Sequence, residues 1–75
     1  MTALSVYYFQ RTTVIIYDVN GKPVKKLLDE KLHSGTYLIK WNGVNNKNLK
    51  VSSGVYFYEI KAGAQKFVGK MNLIK

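Results

Sequence analysis

Apolar and polar residues alternate with a period of two along most of the chain, the repeat of a half-buried strand, and no stretch carries a sustained helical repeat. Leu4–Phe9 is the first such run, aromatic and β-branched, and Gln10-Arg11 breaks it. Thr12–Asp18, TTVIIYD, is among the strongest strand signals in the sequence. Asn20-Gly21 supplies a turn in which both central residues accept positive φ. Pro23 has no N–H for a ladder and belongs at a strand start or on an edge. Val24–Leu28 reads as a short strand. The competing reading is a helical turn with Val24, Leu27 and Leu28 on one face, but five residues between β neighbours favour the strand.

Ser34-Gly35 marks the next turn. In Thr36–Trp41, Tyr37, Ile39 and Trp41 point one way, and Leu38 and Lys40 the other. Asn42–Lys50, with four asparagines, reads as a loop, and Val51 resumes the β pattern. Ser52-Ser53-Gly54 turns the chain into Val55–Ala62, Gly63 closes a tight hairpin, and Gln65–Ile74 is the last strand.

About seven short strands without a helix predict an all-β fold, an antiparallel β-sandwich of two sheets with three or four strands each. Residues 1–75 are expected to form one domain. The expected core is Leu4, Val6, Val14, Ile16, Val24, Leu27, Leu32, Ile39, Trp41, Tyr56, Tyr58, Ile60, Met71 and Leu73, with Trp41 filling the space between the sheets. An SH3-like or OB-like barrel is the competing architecture. Ile15, Tyr17, Leu38, Val55 and Phe57 fall on the faces opposite the core, where another domain or subunit could cover them.

Composition narrows the function. A chain of 75 residues hides only about 60% of its unfolded surface, which argues against a deep catalytic cleft. The absence of cysteine removes disulfides and thiolate zinc sites. Twelve basic residues face four acidic ones, for a net charge of +8, and Arg11 is the lone arginine. Specific nucleic-acid readers use arginine forks, whereas scattered lysines suit a solvated surface or a general attraction to anionic cell-surface polymers. No specific nucleic-acid partner is therefore expected. No apolar run reaches the roughly 18 residues of a membrane-spanning helix. Met1–Phe9 lacks the basic start and small-residue cleavage site of a secretory signal. A location outside the cytoplasm would thus imply export within a longer chain.

Candidate chemistry is sparse. His33 is the single histidine and sits beside Ser34-Gly35 in a turn, without the converging ligands a metal needs. The carboxylates Asp18, Asp29, Glu30 and Glu59 form no facing catalytic pair; Asp18 precedes a turn, where its side chain can accept a backbone N–H. The Asn42–Asn48 loop offers amide oxygens but no carboxylate, a poor calcium site. The many aromatics suit sandwich cores and rims better than base-stacking platforms. No catalytic residue, metal or cofactor is expected.

The order of elements resembles a known module. Ile16-Tyr17-Asp18 leads to Asn20-Gly21, then Leu32 with Gly35, Trp41-Asn42-Gly43, Val51, Gly54-Val55-Tyr56-Phe57-Tyr58, Ala62-Gly63 and Lys70-Met71. This series is similar to the Ig-like domain of the flagellar hook-capping protein FlgD. It is equally similar to the type A C-terminal sorting domain of the type IX (Por) secretion system, although the Asn-Pro-rich segment that usually precedes that domain is missing here. The resemblance implies an Ig-like β-sandwich that is not an enzyme. It implies export, to the periplasm, cell surface or medium, as part of a larger bacterial protein. In one form the type IX machinery recognises the domain as a sorting and anchoring signal. In the other it packs against neighbouring domains of a surface or hook-cap protein, or self-associates through an exposed sheet face. The residues expected to carry recognition are Gly54, Tyr56, Lys70, Met71 and Lys75.

Overall fold

The computed structural model describes residues 2–74 and contains six strands and no helix among them. They are β1 (Thr2–Val6), β2 (Gln10–Tyr17), β3 (Pro23–Leu32), β4 (Gly35–Ile39), β5 (Gly54–Ala62) and β6 (Gln65–Leu73). All neighbours are antiparallel. One sheet has four strands in the order β3-β2-β5-β6, and the other pairs β1 with β4. The result is an antiparallel β-sandwich of two unequal layers rather than a closed barrel. Six strands stand where about seven were expected; around Val51, where the β pattern resumes, there is no strand, and Val44 and Lys50 form a single bridge.

The cross-strand registers place the core. Val14 faces Ile60, and Thr12 faces Ala62, on the inner side of the large sheet. Leu4 and Val6 of β1 meet them from the small sheet, with Leu32 closing the cluster. Thr12 is fully buried although its side chain is polar, and its hydroxyl donates to the Gln10 carbonyl at 3.3 Å. Of the expected core, Val24, Leu27, Ile39, Trp41, Tyr58, Met71 and Leu73 are only half-buried. The reason is geometric: a two-stranded sheet covers part of a four-stranded one, so inward side chains beyond its reach keep some contact with water.

β3 is twice as long as the five residues expected, because two register shifts let it follow β2. The ladder skips Leu27 between Leu28 and Lys26, and Val24 between Lys25 and Pro23. Each skipped residue is the extra residue of a β-bulge. The bulge at Leu27 lets two consecutive leucines, Leu27 and Leu28, pack on the core, which a regular pleat forbids. The helix-like spacing of Val24, Leu27 and Leu28 is thus the trace of bulges. β1 ends at Val6, so Tyr7, Tyr8 and Phe9 project from its end, well exposed.

The turns are chemically specified. Asp18 Oδ1 accepts the backbone N–H groups of Asn20 and Lys22, each at 2.9 Å. Only Gly21 takes positive φ in that turn, at 80°, and Asn20 does not. Hydrogen bonds from Gly21 N to Asp18 O and from Asp18 N to Lys22 O close it as a longer loop than the two-residue turn expected. Gly63-Ala64 is the two-residue connection of the β5–β6 hairpin.

The β4–β5 loop covers part of the large sheet that the two-stranded sheet leaves open. Trp41 leaves the end of β4, meets the Tyr56 ring edge-on at 5.0 Å, and donates its indole N–H to the Val44 carbonyl at 2.9 Å. Its ring helps wall a cavity of about 40 Å³ with Val14, Ile39, Tyr58 and Met71. Gly43 is buried with φ of 76°, and a Cβ there would press on the Leu73 side chain at 3.3 Å. Both constraints require glycine, so the loop lies directly on the end of β6. Trp41→Ala is expected to cost about 2–3 kcal/mol, from lost apolar contact and a lost hydrogen bond. Chemical denaturation checks this; an unchanged midpoint would remove Trp41 from the core wall.

Candidate surfaces for recognition

Two tyrosines fasten the ends of strands, and they do so identically. Ser34-Gly35-Thr36-Tyr37 opens β4 and Ser53-Gly54-Val55-Tyr56 opens β5. The glycines have φ of 153° and 150°, values that residues with a Cβ rarely adopt. Each tyrosine hydroxyl donates at 2.7 Å to the carbonyl four residues back, Tyr37 to His33 and Tyr56 to Ser52. This is a tyrosine corner, a device of Ig-like sandwiches, made twice. The repeated Ser-Gly-x-Tyr is readable in the sequence, but its meaning depends on where the two carbonyls fall.

The expected recognition residues separate into distinct environments. Tyr56 is 7% exposed, a core residue that anchors β5. Gly54 is exposed and serves the turn. Met71 is half-buried and lines the core cavity. Lys70 is exposed on the outer face of β6. Lys75 lies outside the described residues. These five therefore form no single patch, and Lys70 is the one charged side chain among the described four.

The outer face of the four-stranded sheet carries no covering layer among the described residues. Ile15, Tyr17 and Phe57, which the alternation puts on the face opposite the core, form with Val68 an apolar strip across three strands. Ile15, Tyr17 and Phe57 are half-buried by their neighbours, and Val68 is exposed. Glu59 sits within this strip, its side chain 15% exposed, with Lys66 at 3.4 Å and Lys61 at 3.8 Å. Lys61 and Lys66 are direct cross-strand partners, so the carboxylate separates two like charges. The Tyr17 hydroxyl lies 3.5 Å from Glu59. Burial, and then the adjacent carboxylate, push the Tyr17 phenol above its ordinary value of 10.0.

Nearer the β3 edge, Asp29 accepts from Lys26 at 3.3 Å and pairs with Arg11 at 2.9 Å. The hydrogen bond from Lys26, with the charge of Arg11, holds the Asp29 carboxyl below its ordinary value. At the β1–β2 end, Phe9 stacks on His33 with ring centres 4.5 Å apart. Tyr7, Tyr8 and Phe67 border a groove of about 240 Å³ there. The amide oxygens of Asn45 and Asn46 are engaged by backbone N–H groups of Lys47, Leu49 and Lys26, so the asparagine loop uses them as internal ties. Among the described residues, no group of three or more His, Asp or Glu side chains converges on a point.

These features define an Ig-like antiparallel β-sandwich module with basic, partly apolar faces. The family model of the FlgD Ig-like domain matches residues 9–66, from the start of β2 into β6. The chain belongs to the FlgD Ig-like domain family. No curated protein and no solved structure gives a match.

Tyr56→Phe is expected to cost about 1 kcal/mol, lowering the melting temperature by roughly 4–8 °C, and Tyr37→Phe less because its hydroxyl is exposed. Equal melting of both variants and wild type would reduce the corners to incidental contacts. For Tyr17 the sign follows from linkage. Its proton is held more tightly in the fold, so the stability it contributes is intact below pH 10.0 and is lost as pH rises beyond it. Ultraviolet titration that isolates Tyr17 by comparison with Tyr17→Phe should show its phenol ionising above the ordinary value of 10.0, and Glu59→Gln should lower it.

Proposed function

We propose that this domain is a non-catalytic docking module of a larger exported bacterial protein, holding that protein to protein partners through exposed sheet surfaces. The observation that carries the reading is the outer face of the four-stranded sheet. An apolar strip through Ile15, Phe57 and Val68 is bordered by lysines. Apolar area supplies affinity, and the surrounding charge supplies orientation and partner choice. The FlgD Ig-like family and the sandwich architecture fit a part that other proteins pack against.

The test is photo-crosslinking in living cells that make the parent protein. Benzoylphenylalanine replaces Phe57 on the outer face, or Leu49 in the β4–β5 loop as a control. Discrete protein adducts from position 57, stronger than from position 49, are the expected result. Adducts to no protein, or equal adducts from both sites, overturn the reading.

A second reading is favoured by the place of β6. The final strand lies at the sheet edge, with Lys70 outward. In this reading the domain is a sorting and anchoring signal read by type IX secretion machinery. A reporter fused to a signal peptide and this domain is then exported from a type IX host, and Lys70→Gln reduces its export. Retention of the folded fusion in the periplasm overturns this second reading and leaves the first.

A further inference from the structure

The edges of the large sheet are treated differently. At β3 the edge is bent by two bulges and clipped by the asparagine loop. There Asn46 donates its N–H to the Val24 carbonyl at 3.0 Å, and its side-chain oxygen accepts the Lys26 N–H at 2.9 Å. These are the devices by which proteins blunt an edge. At β6 the pairing with β5 runs through nine residues without a register shift, and among the described residues the outer edge has no strand beside it.

The register fixes which groups that edge presents. Ala62 and Gln65 close the two-residue hairpin as a hydrogen-bonded pair, and bonded and non-bonded pairs then alternate along the ladder. Lys66, Val68, Lys70 and Asn72 are the non-bonded residues, so their N–H and C=O groups point away from β5 into the open edge. Their side chains all stand on the outer face of the sheet. On the inner face of the same edge, Phe67 is 56% exposed and borders the groove by Tyr7 and Tyr8.

We propose that the β6 edge accepts an extended segment of another protein as a fifth strand, and that this segment alternates acidic and apolar residues. Charge complementarity selects the occupant. Residues opposite Lys66 and Lys70 fall four apart in the incoming strand, on its outer face, and acidic side chains there meet both lysines. Lys70 has no acidic partner among the described residues, and Lys66 shares Glu59 with Lys61. Apolar residues on the other face of the added strand cover Phe67. A second copy is the poorer occupant: two β6 strands paired around Val68 set Lys66 of one copy opposite Lys70 of the other, on chains of net charge +8. Main-chain bonds provide the affinity of such additions, and side chains provide the choice.

The inference rests on the docking reading for its use in the cell, while its chemistry is tested on the domain alone in solution. The probe is a synthetic seven-residue peptide of β-branched residues with glutamate at its second and sixth positions. Hydrogen exchange followed by NMR should show the amides of Val68 and Lys70 slowed on binding, and the slowing should weaken with salt. A peptide with lysine in place of glutamate should bind about tenfold more weakly or worse, and the double variant Lys66→Glu with Lys70→Glu should reverse that order. Val68→Pro deletes one outward N–H and no bond to β5, so a folded variant should lose binding. If that variant unfolds, the charge-reversed pair decides alone. Absence of binding, binding without slowed exchange at these amides, or slowed exchange through dimerisation without peptide each overturns the proposal. Failure here with position-57 adducts intact removes the added strand only; binding here without those adducts removes the docking reading only.

Discussion

The structure depends on a mismatch of layers. A four-stranded sheet offers an apolar face wider than a two-stranded sheet can cover, and the remaining cover must come from loops. Trp41 and Gly43 supply it at one end, where the indole meets Tyr56 and the glycine lies against Leu73. A loop has no ladder to hold it in place. It is therefore tied by its own bonds: Asn45 Oδ1 to two backbone N–H groups, Trp41 Nε1 to Val44, Val51 N to Gly43 O, and Asn46 to the edge of β3. Asn45 and Asn46 are structural material for the core's lid. The tyrosine corners serve the same end, fixing where β4 and β5 begin so that the lid meets the sheet in register.

Charge is distributed according to what the backbone leaves open. Two of the four carboxylates are placed where cations crowd: Glu59 between Lys61 and Lys66, and Asp29 between Arg11 and Lys26. Such exposed pairs add little to stability. Their effect is to neutralise the middle of the outer face while the rim stays basic. A surface of this kind repels its own copies and attracts acidic ones, which is a property of partner choice rather than of folding.

Several errors of the sequence reading have one physical origin. Period-two alternation identifies strands and their faces, and it placed Leu4, Val6, Val14, Ile16 and Ile60 correctly in the core. It treats every inward side as equally buried, so it put Met71, Leu73 and Val24 on a par with them. Burial on an inward side depends on what lies opposite, and that is set by the number of strands in the facing sheet. The same pattern ended the third strand at Leu28, because bulges at Val24 and Leu27 break alternation while the strand continues to Leu32. Tyr56 is expected both in the core and among the residues for recognition; it is buried, and its bond to Ser52 makes it a corner residue, a role that alternation alone does not reveal.

The sequence by itself determined the all-β class, most strand positions, the turns at Asp18–Gly21 and Gly63-Ala64, and the basic character of the surface. These follow from local chemistry: side-chain alternation, residues suited to positive φ, and the count of charges. The unequal division into sheets of four and two, the order β3-β2-β5-β6, and the open edge at β6 were decided only by tertiary structure. Strand order is a matter of which distant segments pair, and every strand here carries enough alternating apolar residues to pair with several others. The choice is made by the packed whole, where bulges, corners and a tied loop complete the cover that the two-stranded sheet begins.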